Sequence, residues 1–261
     1  MAATDRFQGV LAEDEQSFPM RRTSGRPADL SPGLRMEVVA GGPLLDRAEE
    51  FVYDVYRQVG YCRSSSRKRV EELQRWSDRS VFHVVADEAD VVVGTVRTVV
   101  GEYDELPIGQ FLRNDFRHSD PVCELGALAV EASARSTGVI EHLYRAGWLD
   151  AARSGSSALV AVIEPWLLDV FIWSYGLAFE QIGEGQDYLG GYSVPTAFPL
   201  IPRTYEVLTE QNPGFMRWNG EAATVEELTK WGIPIILTDD VPAGSGAQQQ
   251  TEVPTFGTLG T

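Results

Sequence analysis

Hydrophobic positions change period several times along the chain, and each change marks a predicted element. Residues 34–40 (LRMEVVA) alternate enough to read as a strand, closed by Gly41-Gly42-Pro43. Leu45, Ala48, Val52, Val55 and Val59 then recur at helical spacing, predicting a helix over 44–59, and Val70, Leu73 and Trp76 predict a second over 67–76. The runs 81–86 (VFHVVA) and 91–99 (VVVGTVRTV) flank Asp87-Glu88-Ala89-Asp90 and read as a hairpin. Residues 101–121 are irregular apart from a short helix around 109–113. An apolar run over 122–130, a small polar turn over 131–137 and a helix over 138–153 follow, the helix with Val139, Ile140, Leu143 and Tyr144 as its first apolar residues. A buried strand over 158–163 leads to a helix over 165–176 that starts on Pro165. Two antiparallel strands, 178–183 and 188–200, are expected around residues 184–187, then short helices at 204–208 and 224–231 and a strand at 234–237.

This succession predicts the α/β class: a mixed twisted sheet with helices on both faces. The step over 122–163 has the length of a right-handed parallel crossover. Residues 1–34 read as a mobile N-terminal arm, 35–202 as the main domain, 203–240 as a C-terminal extension packing on it, and 241–261 as a disordered tail. The two cysteines, Cys62 and Cys123, make no disulfide framework, so a cytoplasmic protein is expected. No run approaches the ~20 apolar residues of a membrane helix. A net charge of −16 argues against nucleic acid as a partner. Against that background Arg57, Arg63, Arg67, Lys68, Arg69, Arg75 and Arg79 outnumber Glu71, Glu72 and Asp78, leaving a local basic segment. It is either a solvated helix face or a steering surface for an acidic partner.

The chemistry concentrates around residues 121–144. Glu124 is an acid inside an apolar strand, a costly placement without a partner or a role. It reads as a general base or as half of a buried ion pair with Arg97. Arg97, on a Val-rich strand, is equally a clamp for a ligand carboxylate, since its planar fork suits that ion. Strand, small-residue turn, helix is an arrangement that offers free N–H groups to an anion; Ser133, Ser136 or Thr137 acting as an ordinary cap is the simpler reading. Cys123 in the same strand reads as core. The histidines His83, His118 and His142 have no metal-ligand spacing, so no metal is expected.

Several of these residues, taken in order, resemble the GNAT acyltransferases, and most of all the N-acyl amino acid synthases of the FeeM type and the related acyl-homoserine-lactone synthases. They are Asp78 before Ser80-Val81-Phe82-His83, Gly94-Thr95-Val96-Arg97, Leu106-Pro107 with Phe111, and Glu124-Leu125-Gly126-Ala127-Leu128-Ala129-Val130. Arg135 with Gly138, and Leu177-Ala178-Phe179 with Ile182-Gly183, complete the series. The likeness covers about 35–202. The family arginines are replaced by Ala127 and Val52, the last small residue of the phosphate loop by Ile140, and the thiol-protonating tyrosine falls at Ser174, beside Tyr175.

The resemblance implies a GNAT-fold N-acyltransferase moving an acyl group, expected to be fatty, from a pantetheine thioester to a primary amine of an amino acid, peptide or amino-bearing metabolite by direct attack. Glu124 would take the proton and backbone N–H groups at Leu128 and Val130 would polarise the carbonyl. Ala129, Val130, Arg135, Ser136, Thr137, Gly138 and Val139 would hold the donor, and Asp78, Arg97, Trp166 and Trp173 would meet substrates, with Trp148 and Phe171 as further lining of an acyl tunnel. No tightly bound cofactor is expected; the co-substrate is acyl-CoA or an acyl carrier protein docked on the Arg57–Arg79 segment. A CoA-dependent acetyltransferase and a catalytically silent acyl-pantetheine-binding protein are the alternatives.

Overall fold

The computed structural model describes residues 25–111, 118–135, 137–177 and 179–234. Strand β1 (Arg35–Val39) is followed by helix α1 (Pro43–Val59), which carries Pro43 at its start and ends on left-handed Gly60. The second helix is far shorter than its apolar spacing suggested: α2 spans only Glu71–Gln74. Lys68 has a positive φ of 48° and Val70 is extended, while Arg69 reaches Asp46 at 2.9 Å and Glu49 at 2.7 Å on α1. These cross-chain ties hold 67–70 as a loop.

β2 (Ser80–Ala86) and β3 (Val92–Gly101) form the expected hairpin, and β4 (Val122–Val130), α3 (Val139–Arg153) and β5 (Ala158–Ile163) form the parallel crossover. Helix α4 (Pro165–Tyr175) precedes β6 (Glu180–Gln181), β7 (Gln186–Tyr188) and β8 (Gly191–Pro199). The expected antiparallel pair is present as β6 with β8, but the tight turn is Leu189-Gly190, between β7 and β8, both at positive φ. Among the described residues the strands make one eight-stranded sheet in the order β1-β2-β3-β4-β5-β8-β6, with β7 on β8. Every pairing is antiparallel except β4 with β5.

The C-terminal part holds three helices: α5 (Pro202–Gln211), α6 (Pro213–Gly220) and α7 (Val225–Trp231). α6 was not expected. Asn212 caps it, accepting from the Phe215 N–H at 3.2 Å, and donates to the Tyr175 carbonyl at 3.1 Å, joining α6 to the end of α4. Tyr205, Leu208, Phe215, Trp218 and Leu228 enter a core with Tyr144, Trp148 and Phe171. On the opposite side of the sheet, Val52, Tyr53 and Tyr56 of α1 pack on Phe82, Val84, Ala127 and Ala129. The expected strand at 234–237 and the tail lie outside the described residues, and so does part of the helix expected around 109–113, where a 3-10 turn over Pro107–Gln110 stands instead.

Candidate active site

β4 is where the sheet opens. Its register with β3 runs to Arg97↔Gly126 and resumes at Thr95↔Ala129, so Ala127 and Leu128 together face Val96. That is a bulge, with Ala127 at φ 47° and its carbonyl taking the Thr95 hydroxyl at 2.8 Å. On its other edge β4 pairs with β5 only from Cys123 to Leu125, against Leu159 to Ala161. From Gly126 to Val130 the β5-facing edge has no strand partner among the described residues. α3 lies close beside it because a Cβ on Gly147 would sit 2.6 Å from Leu125 and one on Gly94 2.5 Å from Val139.

Successive side chains of a strand face opposite ways, and here they separate two environments. On the α1 side stands Glu124, 4% exposed, accepting the Ile108 N–H at 2.9 Å. Burial pushes its carboxyl up to about 8, against the pull of that N–H and of Arg97. Arg97 is 2% exposed and gives one N–H to the Leu73 carbonyl at 2.8 Å; its Nε is buried without an acceptor among the described residues. Burial lowers its pKa, with Glu124 the foremost opposing charge. No ion pair joins Glu124 and Arg97 among the described residues, so the paired-charge reading of Glu124 is not what the fold builds. Gly126 lies against the guanidinium: a Cβ there would come 3.5 Å from its Nη2. Tyr56 and Tyr188 complete the neighbourhood, the latter edge-on to Phe111 at 5.6 Å.

On the α3 side an apolar cavity of about 50 Å³ starts at Leu125 and Leu159, where the strands part, and runs between Tyr144, Trp148, Phe171 and Phe215. α3 begins at Gly138, left-handed at φ 78°, without a side-chain cap. The N–H groups of Gly138, Val139, Ile140 and Glu141 have no protein acceptor among the described residues. The Thr137 hydroxyl is spent on the Ala134 carbonyl at 2.7 Å, and Arg135 is exposed without an ionic partner among the described residues. Ser136 lies outside the described residues. Tyr175, absent from the expected site, is buried, and its hydroxyl donates to Glu141 on α3 at 3.0 Å. Cys123 is fully buried, its thiol raised by desolvation, as a core cysteine.

Other expected contacts are not brought together. Trp166 and Trp173 are 40% and 53% exposed on the outer side of α4 and line neither cavity, whereas Trp148 and Phe171 do line one. Asp78 is exposed on a 3-10 turn. Four of the seven cations of the basic segment are paired by the chain itself: Lys68 with Glu50, Arg69 with Asp46 and Glu49, Arg75 with Glu72 at 3.2 Å, and Arg79 with Glu105 at 3.0 Å. Among the described residues no helix is long and apolar enough to cross a membrane.

The fold has solved counterparts. FeeM, an N-acyl amino acid synthase from uncultured soil microbes, superposes with a TM-score of 0.52 at 14% identity, over 67% of this chain and 95% of that one. BjaI, a CoA-dependent acyl-homoserine lactone synthase with SAM and isopentyl-CoA, gives 0.54 at 16% identity, over 69% and 90%. TofI, in a ternary complex with an inhibitor and MTA, gives 0.51 at 21% identity, over 69% and 99%. No curated protein matches the sequence. At these identities the superpositions establish the architecture, the GNAT fold. The model of the N-acyl amino acid synthase FeeM family matches residues 47–197, from α1 through the bulged strand and the crossover into β8. By that match the chain belongs to the FeeM family and is an N-acyltransferase.

Proposed function

We propose that the protein moves an acyl group from a pantetheine thioester, on a carrier protein or coenzyme A, to the primary amine of an acceptor that also carries a carboxylate, an amino acid being the simplest. The observation that carries this is Glu124, lifted to about 8 by burial, next to a buried guanidinium whose Nε has no acceptor among the described residues, where β4 bulges and leaves β5. A carboxyl titrating near working pH suits a general base. A buried guanidinium with an unsatisfied N–H is costly, and a ligand carboxylate removes that cost.

In this reading the donor lies on the α3 side, its acyl chain in the apolar cavity and its phosphate near Arg135 and the open N–H groups of α3. The amine arrives from the α1 side and attacks the thioester carbon. Its proton passes to Glu124, while N–H groups of 128–130 on the free edge of β4 steady the oxyanion. The C–S bond then breaks. Tyr175, kept protonated by burial and by Glu141, returns a proton to the departing thiolate. A short acyl group is the second reading, favoured by the cavity volume of about 50 Å³. Mass spectrometry of products from decanoyl and acetyl donors, each on carrier protein and on CoA, separates the two readings. Amino acids are expected to be acylated and their decarboxylated amines much more slowly. Equal rates for both, or donor binding without product, would sink the proposal.

A further inference from the structure

We infer that the N-terminal strap, residues 25–29, is a wall of the donor site and closes over the pantetheine arm. This rests on the donor placement above and adds residues that precede the family match at 47–197. Instead of extending away as an arm, it crosses from α6 to the start of α3. A Cβ on Gly214 would sit 2.9 Å from Gly25, and Arg26 pairs with Glu221 at 3.0 Å and Asp29 at 3.1 Å. The carbonyls of Ala28 and Asp29 lie over Gly138, 2.7 and 3.2 Å from where its Cβ would be, so only glycine admits both this φ and this overpass. Leu30 and Leu34 then pack beside Ala134, Val139 and Leu143.

The strap does not fill the space beneath it. A cavity of about 270 Å³ remains, lined by Gly25, Arg26, Pro27 and Ala28 above and by Glu141 and Tyr175 below. Glu141 Oε2 is buried with no partner among the described residues, although Oε1 takes the Tyr175 hydroxyl. A buried acceptor without a donor calls for an N–H or O–H from a ligand. The pantetheine arm offers amide N–H groups and a hydroxyl. The strap's ion pair to the rest of the fold, Arg26–Glu221, is exposed and individually weak, so the strap can lift to admit the arm and settle on it.

Hydrogen exchange of the full chain, with and without a decyl thioether of phosphopantetheine that has no acyl carbon to transfer, tests this. Amides of residues 26–34 are expected to slow at least tenfold with the thioether bound. The Arg26→Ala/Glu221→Ala variant is expected to raise donor KM about fivefold, with kcat and acceptor KM within twofold. Unchanged or faster exchange in the strap, or an unmoved donor KM, overturns the inference. Product formation with an indifferent strap defeats the strap alone; a protected strap with no product from any donor defeats the transfer reading alone.

Discussion

The two sides of β4 differ in kind. On the α1 side, at Glu124 and Gly126, specificity comes from charge: a carboxyl held near its titration point and a guanidinium whose Nε has no acceptor among the described residues. On the α3 side, at Leu125, it comes from shape, in a seam of aromatic rings leading to an open helix start. One residue of strand separates them, because alternate side chains face opposite ways. The sheet is thus a partition between two reactants, with its opening where β5 departs from β4. Changes on the α1 side should therefore alter acceptor chemistry and proton transfer, and changes on the α3 side should alter the donor.

The largest expected effect is Glu124→Gln, which keeps an oxygen for the Ile108 N–H but cannot take a proton. Turnover should fall by about 10²–10⁴, with binding of the thioether unchanged. The wild-type rate should rise with pH through about 8, and the variant's should not. Stability gives an independent check of sign. The folded carboxyl keeps its proton up to about 8, while the unfolded one loses it near 4.5. Wild-type stability therefore declines across that window, and the Gln variant, which does not titrate, should gain in relative Tm as pH rises. A variant Tm that falls relative to wild type would show that the fold needs the carboxylate rather than straining to hold it.

Next in size is Arg97→Met. Removing the clamp should raise acceptor KM by about thirtyfold, the worth of a charged hydrogen bond of roughly 2 kcal/mol. The preference for amino acids over decarboxylated amines should go with it, and donor KM should stay put. A shift in donor KM instead would place Arg97 on the wrong side of the partition.

How much of this was legible in the sequence depended on how local the cause was. The crossover 122–163 was readable because its periods change cleanly, and Glu124 because an acid among valines and leucines has few bland explanations. The strap was not, since 25–34 has no period and owes its place to Gly138 and Gly214, far along the chain. The ion pairs of Lys68 and Arg69 were hidden for a like reason: their acids Asp46, Glu49 and Glu50 belong to another helix. Tyr175 was set aside for Ser174, and one residue turns a helix by about 100°. Helix α6, by contrast, carries a local signal, Asn212-Pro213 as cap and first turn.

A smaller effect tests the α3 side. Phe171→Leu widens the apolar cavity where α4 meets it. A longer acyl chain should then be favoured by about fourfold per added methylene, from ~0.8 kcal/mol for each one buried. Acceptor KM should not respond. An unchanged chain-length profile would put the acyl group elsewhere.

The smallest expected effect contrasts the two sides of α4 itself. The helix is apolar nearly all round, so sequence alone could not say which aromatic rings face inward. Phe171 is 5% exposed and stacks on Phe179 at 5.3 Å, whereas Trp173, two residues on, is 53% exposed. Trp166 is 40% exposed and gives its indole N–H to Glu164. Surface substitutions of this kind change stability by about 0.5 kcal/mol or less, so Trp166→Ser with Trp173→Ser should leave kcat and both KM values within twofold. Only rings on the inner side of α4 then read the acyl chain. A tenfold loss with long-chain donors alone would mean that the chain runs over the outside of α4, and the apolar cavity would lose its claim to it.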